Sequence, residues 1–463
     1  MNGVSDPLAT QLARWTADTA FDRLPADVVH ATKVRILDAV GLALAGAGTP
    51  FGQSVLAAEA ALSPEGPCHA FGAGERLPAG AAAFVNGARV QALEFDDTHN
   101  ESIVHMSGPA VSAAFALAEL EGASGPGVLR AVALGNEVSC RVGSVSVGQF
   151  HKRGFHPTGL FTPFGVAYLA SALMGLDVDT TSRAAGIVGS FAAGLLECWV
   201  DGTDSKFLHA GWAARGGLTA AALARAGTTG PPAIFEGRFG LFASHVQDPA
   251  APRHFDRITR ELGTHWESRH ASFKPYPAAH VIHPYITAAV RLREAYGIRV
   301  EDVERVECPV AAFLVPVVCE PAEEKWSPRT AAHGRVSLQF TIAEALATGH
   351  LGREAYSERT RTDPAILALA RRVHYHPDAA FDGLAHFRGA VTVTLRDGRV
   401  FSELEEYNRG SAQNPMTDGE LRAKFDDNAG GRLSAAARQR LDDAIMRLDQ
   451  LDDAATIVSL TMG

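Results

Sequence analysis

The apolar and polar positions divide the chain into two textures. Over Pro25–Ala47 the apolar residues Val28, Val29, Val34, Leu37, Val40 and Leu42 recur with helical spacing, Pro25 suits the entry and Gly46 the exit. The same reading predicts helices at Gly80–Ala92, Pro109–Glu121, Val128–Val142, Phe161–Leu176, Ser182–Leu196 and Phe207–Ala226. Almost all of the first 260 residues therefore read as helix. These segments are rich in Ala and Gly and apolar nearly all round, which predicts core helices whose backbones approach closely.

After about Ser272 the pattern becomes mixed. Val303–Val310 alternates weakly, and V-T-V-T-L-R-D-G-R-V-F-S-E-L reads as a strand, an Asp397-Gly398 turn and a second strand. Helices are predicted between them at Ile286–Glu294, Val336–Thr348 and Ala365–Arg372, then at Asp418–Phe425 and Ser434–Leu448. The fold class is mainly α with a smaller α+β domain: a helical domain over 1–265, completed by C-terminal helices in 410–463, and an α+β unit over 266–409.

A chain of 463 residues is long enough for two cores. With 46% hydrophobic and 20% charged residues it has the make-up of an ordinary globular protein. No apolar run approaches the roughly 20 residues that span a bilayer, and Val4–Arg23 lacks the basic-then-apolar layout of a signal peptide, so the cytoplasm is the expected location, with no membrane partner. A net charge of -10 without a basic stripe argues against a nucleic-acid partner. Five scattered cysteines, an odd number without a C-x-x-C pair, indicate neither a disulfide framework nor a zinc or iron–sulfur site.

Four clusters gather ionisable groups beside Gly, Pro and aromatic residues: E-F-D-D-T-H-N-E-S-I-V-H-M-S-G (94–108), R-G-F-H-P-T-G (153–159), D-G-T-D-S-K-F-L-H-A-G (201–211) and F-K-P-Y-P-A-A-H-V-I-H-P (273–284). The first three fall between helices, where site residues sit on a rigid scaffold. Each has a plainer reading: His156 before Pro157 as a turn residue, Lys206 as a solvated first-turn lysine, Lys274 lying over Tyr276, and Asp96-Asp97 as a solvated charge run. Together they supply carboxylates, imidazoles and two lysines, the inventory for holding an anionic acid and moving protons on it. A magnesium site at Asp96-Asp97, as in terpene synthases, would need a second ligand set that the sequence lacks, and no zinc-ligand spacing is present; no metal and no cofactor are expected.

With all four clusters in view the chain resembles the MmgE/PrpD family, whose members include 2-methylcitrate dehydratase, cis-aconitate decarboxylase and iminodisuccinate epimerase. The resemblance rests on K-V-R-I-L-D-A-V-G-L-A-L-A-G, A-L-E-F-D-D-T-H, G-F-H-P-T-G, K-F-L-H-A-G, K-P-Y-P-A-A-H-V-I-H, S-L-Q-F-T-I-A-E-A-L-A-T-G and N-P-M-T-D-G-E-L-R-A-K-F, in that order along the chain. It implies a helical domain, an inserted α+β lid, a homodimer and a metal-free site between the domains. By position it places Glu94, Thr98, His105, His156, Lys206 and Lys274 in the pocket, with His280 or His283 from the lid side. Glu94 stands where the family usually has Asp, and H-M-S-G replaces the commoner H-P-S.

Family members loosen a bond next to a carboxylate, so cations must stand where charge develops. Lys206 and Lys274 are the candidates for that role, His105 and His156 for the acid and base, and Glu94 and Asp97 for orienting or tuning them. The favoured reading is a lyase acting on a small di- or tricarboxylate, specifically a 2-methylcitrate-like dehydratase. Decarboxylation of a cis-aconitate-like acid and epimerisation of an amino- or imino-dicarboxylate reuse the same groups, and a carboxylate-binding protein without turnover is the more distant alternative.

Overall fold

The computed structural model describes residues 6–384 and 386–463. It is 58% helix and 8% strand, mainly α with a smaller α+β part. The helices that build the site's scaffold are α1 (Ala26–Ala47), α2 (Ala79–Gln91), α3 (Ser107–Glu121), α4 (Gly125–Gly143), α5 (Pro157–Leu173) and α6 (Leu208–Arg225). They share one hydrophobic core, in which α6 packs on both α5 and α2. Small residues make that contact possible: a Cβ on Gly211 would lie 2.3 Å from the Phe84 carbonyl oxygen, and one on Gly87 would lie 2.8 Å from that of Ala210.

A second core forms around α7 (His283–Tyr296), β1 (Val303–Val310), α8 (Leu338–Thr348), β2 (Val373–Pro377), β3 (Gly389–Leu395) and β4 (Val400–Glu405). The sheet order is β2-β1-β3-β4, with β1 and β2 parallel and the other pairs antiparallel. Along β3, Gly389, Val391, Val393 and Leu395 alternate inward, and α7 packs against β3 and β4. The β3–β4 turn closes at Asp397-Gly398, where Gly398 takes a φ of +89°. Helices α9 (Asp418–Ala429) and α10 (Ala435–Met446) return to the first core, where Phe425, Ala429, Leu441 and Ile445 are buried. Among the described residues no helix is long and apolar enough to cross a membrane.

Four elements differ from the pattern-based expectation. Helices Leu8–Asp18 and Pro50–Leu62 and the parallel strand β2 were not anticipated, and the helix expected over Ser182–Leu196 is Val178–Val188. Apolar spacing continues past Val188, but Gly194 adopts a φ of +153°, open only to glycine without strain. That interruption shapes the site.

Candidate active site

Two loops and two helix starts converge between the cores. The chain leaving α2 turns at Glu94, a non-glycine residue with φ +53°. Thr98 and His99 then pair antiparallel with Ser272 and Ala271, which brings Lys274 beside Glu94 although 180 positions separate them. The Glu94 carboxylate lies between two ammonium groups: Oε2 accepts from Lys206, and Oε1 and the main-chain oxygen accept from Lys274 at 3.2 and 3.0 Å. Burial pushes the Glu94 carboxyl up, but the attraction of Lys206, Lys274 and His105 outweighs it and holds the group ionised, well below the usual range. Burial lowers the Lys274 pKa, against the pull of Glu94 and Asp96.

His105 is fixed from both sides. Its backbone N–H donates to Thr158 Oγ1 at the start of α5 (3.0 Å), and its Nδ1 lies 3.1 Å from the Asp97 carbonyl oxygen. A carbonyl only accepts, so Nδ1 carries the hydrogen and Nε2 is the bare nitrogen, 3.8 Å from Glu94 Oε1. His156 precedes Pro157, the first residue of α5, and its backbone N–H donates to Gly194 O at 3.0 Å. Its Nδ1 lies 2.9 Å from Nδ1 of His209, on the first turn of α6, and its Nε2 is buried without a protein partner. A Cβ on residue 194 would sit 3.1 Å from that His209 nitrogen, so the glycine admits the imidazole pair. Burial lowers the pKa of His105, with Lys274 and Lys206 adding to it; burial, Lys206 and His209 do the same to His156. Both imidazoles are neutral at pH 7.

On the side of the second core, the Phe387 N–H donates to Asn408 Oδ1 (3.1 Å), which leaves Asn408 Nδ2 to donate to His280 Nε2 (2.9 Å). His280 therefore carries its hydrogen on Nδ1, which is buried with no protein partner. Asn408 lies in Y-N-R-G, and nothing in that short stretch marks it as a partner of His280, 128 positions away.

Glu94, Thr98, His105, His156, Lys206 and His280 line one cavity of about 390 Å³ between the two cores. Among the described residues that line a more open cleft of about 540 Å³ near Leu62 and Pro78, Arg215 is the one ionisable group, already paired with Glu59 at 2.8 Å, and the cleft offers no comparable chemistry.

Three residues expected in the pocket stand behind it. Lys274 is fully buried under Glu94, and His283 is fully buried with Nε2 donating to Ala278 O (3.1 Å); neither lines the cavity. Asp97 accepts from Arg35 at 2.6 Å and from the hydroxyl and N–H of Ser107, at the first turn of α3. Arg35 also donates to Ser268 O and Ala271 O, so this pair ties α1 to the segment leading to Lys274. Asp97→Asn is expected to lower unfolding free energy by about 3–5 kcal/mol, since it leaves the Arg35 charge buried and uncompensated. Urea denaturation reads this, and an unchanged midpoint would contradict the role.

Asp96 is the carboxyl that the sequence reading undervalued. Both its oxygens are buried without a hydrogen-bond partner, Oδ2 lies 3.5 Å from His105 Nδ1, and burial, reinforced by Glu94 and Asp97 against the two lysines, raises its pKa to about 7. Asp96 and Asp97 thus face different partners. Among the described residues no group of three or more His, Cys, Asp or Glu side chains is placed to hold a metal ion.

Two lysines, Lys152 and Lys206, four neutral imidazoles, His105, His151, His156 and His280, and the Glu94 carboxylate line this single cavity among the described residues, the inventory of an enzyme that moves protons on an anionic substrate. The chain belongs to the MmgE/PrpD family and is a lyase: the family's N-terminal domain matches residues 10–253 and its C-terminal domain residues 276–450. It is similar to the cis-aconitate decarboxylase-like protein oryM of Aspergillus oryzae, 27% identical over 98% of this chain and 97% of that protein. It is also similar to the cis-aconitate decarboxylase of Aspergillus terreus, 26% identical over 98% and 95%. With the cis-aconitate decarboxylase of Mus musculus it shares 27% identity over 94% and 89%.

Proposed function

We propose that the chain decarboxylates a cis-aconitate-like unsaturated tricarboxylate. The observation that carries this reading is the near end-to-end similarity to proteins named for that reaction. The cavity supplies groups suited to it. When the carbon–carbon bond to the departing carboxylate breaks, its electron pair passes through the adjacent double bond to the carbon beside another carboxylate; that carbon takes a proton and carbon dioxide leaves. Lys206 faces the carboxylate on which charge develops, the His280 Nδ1–H adds a second donor, and an imidazolium at His156 or His105 delivers the proton. The dehydration favoured from the sequence draws on the same groups but has less behind it, since the relatives carry the decarboxylase name.

Mass spectrometry on cis-aconitate, 2-methylcitrate and amino-dicarboxylates tests the reading. Loss of carbon dioxide from cis-aconitate is expected. Loss of water from 2-methylcitrate, with cis-aconitate left intact, would overturn it in favour of the dehydratase.

The neutral imidazoles make a further prediction. Burial and the lysines hold His105 and His156 below the ordinary histidine range, so in the free site neither imidazole is an imidazolium with a proton to give at pH 7. A bound polycarboxylate adds negative charge and favours imidazolium. Binding near pH 7 is therefore expected to take up about one proton, seen as a calorimetric enthalpy that changes with the ionisation enthalpy of the buffer. Buffer-independent enthalpies would contradict this charge logic.

A further inference from the structure

The cavity continues past its ionisable groups into a mainly apolar wall. Ile103 and Val147 contribute from the helical body, Phe313, Leu314 and Val317 from the turns after β1, and Phe387 from the approach to β3. This wall is not buried against the rest of the chain. Phe313 is 45% exposed, and Ile103, Val147, Leu314 and Val317 are half-buried.

A small, fully ionised acid has no use for such a surface, since carboxylates in contact with it would lose water without gaining a partner. No arginine is among the described residues that line the cavity, so bidentate capture of several carboxylates is absent; of its two lysines, Lys206 is partly neutralised by Glu94 and Lys152 stands at an exposed position. At interior packing density a twelve-heavy-atom acid fills roughly half of such a space, leaving room for about four to six more methylene groups. The polar groups and the apolar wall belong to one continuous 390 Å³ cavity, so a single molecule would meet both.

We propose that the substrate is a tailed acid: a polycarboxylate head at Lys206, His105, His156 and His280, bearing an alkyl chain of several carbons that lies against Phe313, Leu314, Val317 and Val147. The proposal rests on the decarboxylase reading for the head and adds the tail.

Binding and turnover separate the two. Saturated alkyl-tricarballylates, which lack the double bond and cannot react, are measured by calorimetry over a series of chain lengths. Kd is expected to fall about fourfold per methylene over the first few carbons and then level off as the wall is covered. Phe313→Ala with Leu314→Ala, both at least partly exposed positions, is expected to reduce that gain per carbon. A Kd that is flat or rises with chain length overturns the tail, as it would if another copy of the chain covered this wall; a slope untouched by the double variant overturns the assigned wall. Release of carbon dioxide from cis-aconitate and its alkyl derivatives is read separately. A steep binding series without release from any of them leaves the tail standing and removes the decarboxylase reading, whereas release from cis-aconitate with a flat series does the reverse.

Discussion

Lys206→Met is expected to lower turnover by about 10²–10³-fold while leaving the protein folded. The geometry of Glu94 allows the two effects to be separated. In the native chain its carboxylate serves two ammonium groups, one facing the cavity and the other fully buried. Without Lys206, Glu94 keeps Lys274 at 3.2 Å, so no isolated charge remains in the interior and the melting temperature should fall by only a few degrees. The cavity, however, loses its buried cation and is left, among the described lining residues, with the exposed Lys152 and the Glu94 carboxylate, so a polycarboxylate binds less well and the charge developing during carbon–carbon cleavage is poorly matched. Both kcat and KM should therefore worsen. Glu94→Gln supplies the contrast: it removes the carboxylate that lies between two buried ammonium groups, and should cost about 3–5 kcal/mol in unfolding free energy. Thermal melts and steady-state rates on cis-aconitate check both variants. Near-native rates for folded Lys206→Met would show that the lysine only balances Glu94.

The same triad shows how far the sequence could be read. Helices α1 to α6 were legible because one apolar pattern, closed by small residues, specifies each locally, and the β3–β4 hairpin was legible from its Asp-Gly turn. The clustering of Glu94, His105, His156, Lys206 and His280 around one cavity followed from motif order and resemblance. What could not be read was which charge meets which. Asp96 and Asp97 are neighbours of one residue type, yet Arg35, 62 positions away, takes one and leaves the other facing His105. Lys206 and Lys274 looked alike until the pairing of Thr98–His99 with Ala271–Ser272 put one of them behind Glu94. His283 drops out of the lining because its ring donates back to Ala278. These assignments depend on long-range contacts that no local pattern encodes. The choice between losing water and losing carbon dioxide is harder still, since one set of acid, base and cation serves both.

His156→Gln is expected to cost about 10²–10⁴-fold in turnover. The argument starts from the 2.9 Å contact between Nδ1 of His156 and Nδ1 of His209. Both rings are held below the ordinary range, His209 at about 4 through burial and the nearby Lys206, so at pH 7 both are neutral and only one of the two facing nitrogens carries a hydrogen. If His156 donates, its unpartnered Nε2 is bare and can accept a proton; if His209 donates, His156 carries its hydrogen on Nε2, toward the cavity. When substrate binding adds one proton to the pair, a proton passed to the substrate from Nε2 of His156 is replaced through Nδ1 from the His209 imidazolium and both rings return to neutral, which makes His156 the group in contact and His209 the positioning residue behind it. Glutamine keeps a hydrogen-bonding group near His209 but cannot relay a proton, so folding should survive and the rate should not. His209→Asn should leave substrate affinity near native while lowering kcat and displacing its pH profile, because the tautomer of His156 is no longer set by a titratable partner. Rates across pH 5.5–8.5, with melting temperatures for each variant, decide it. If His156→Gln melts far below the native protein while its folded fraction turns over normally, the imidazole pair holds the start of α5 in place and the proton comes from elsewhere, with His105 the next group to test.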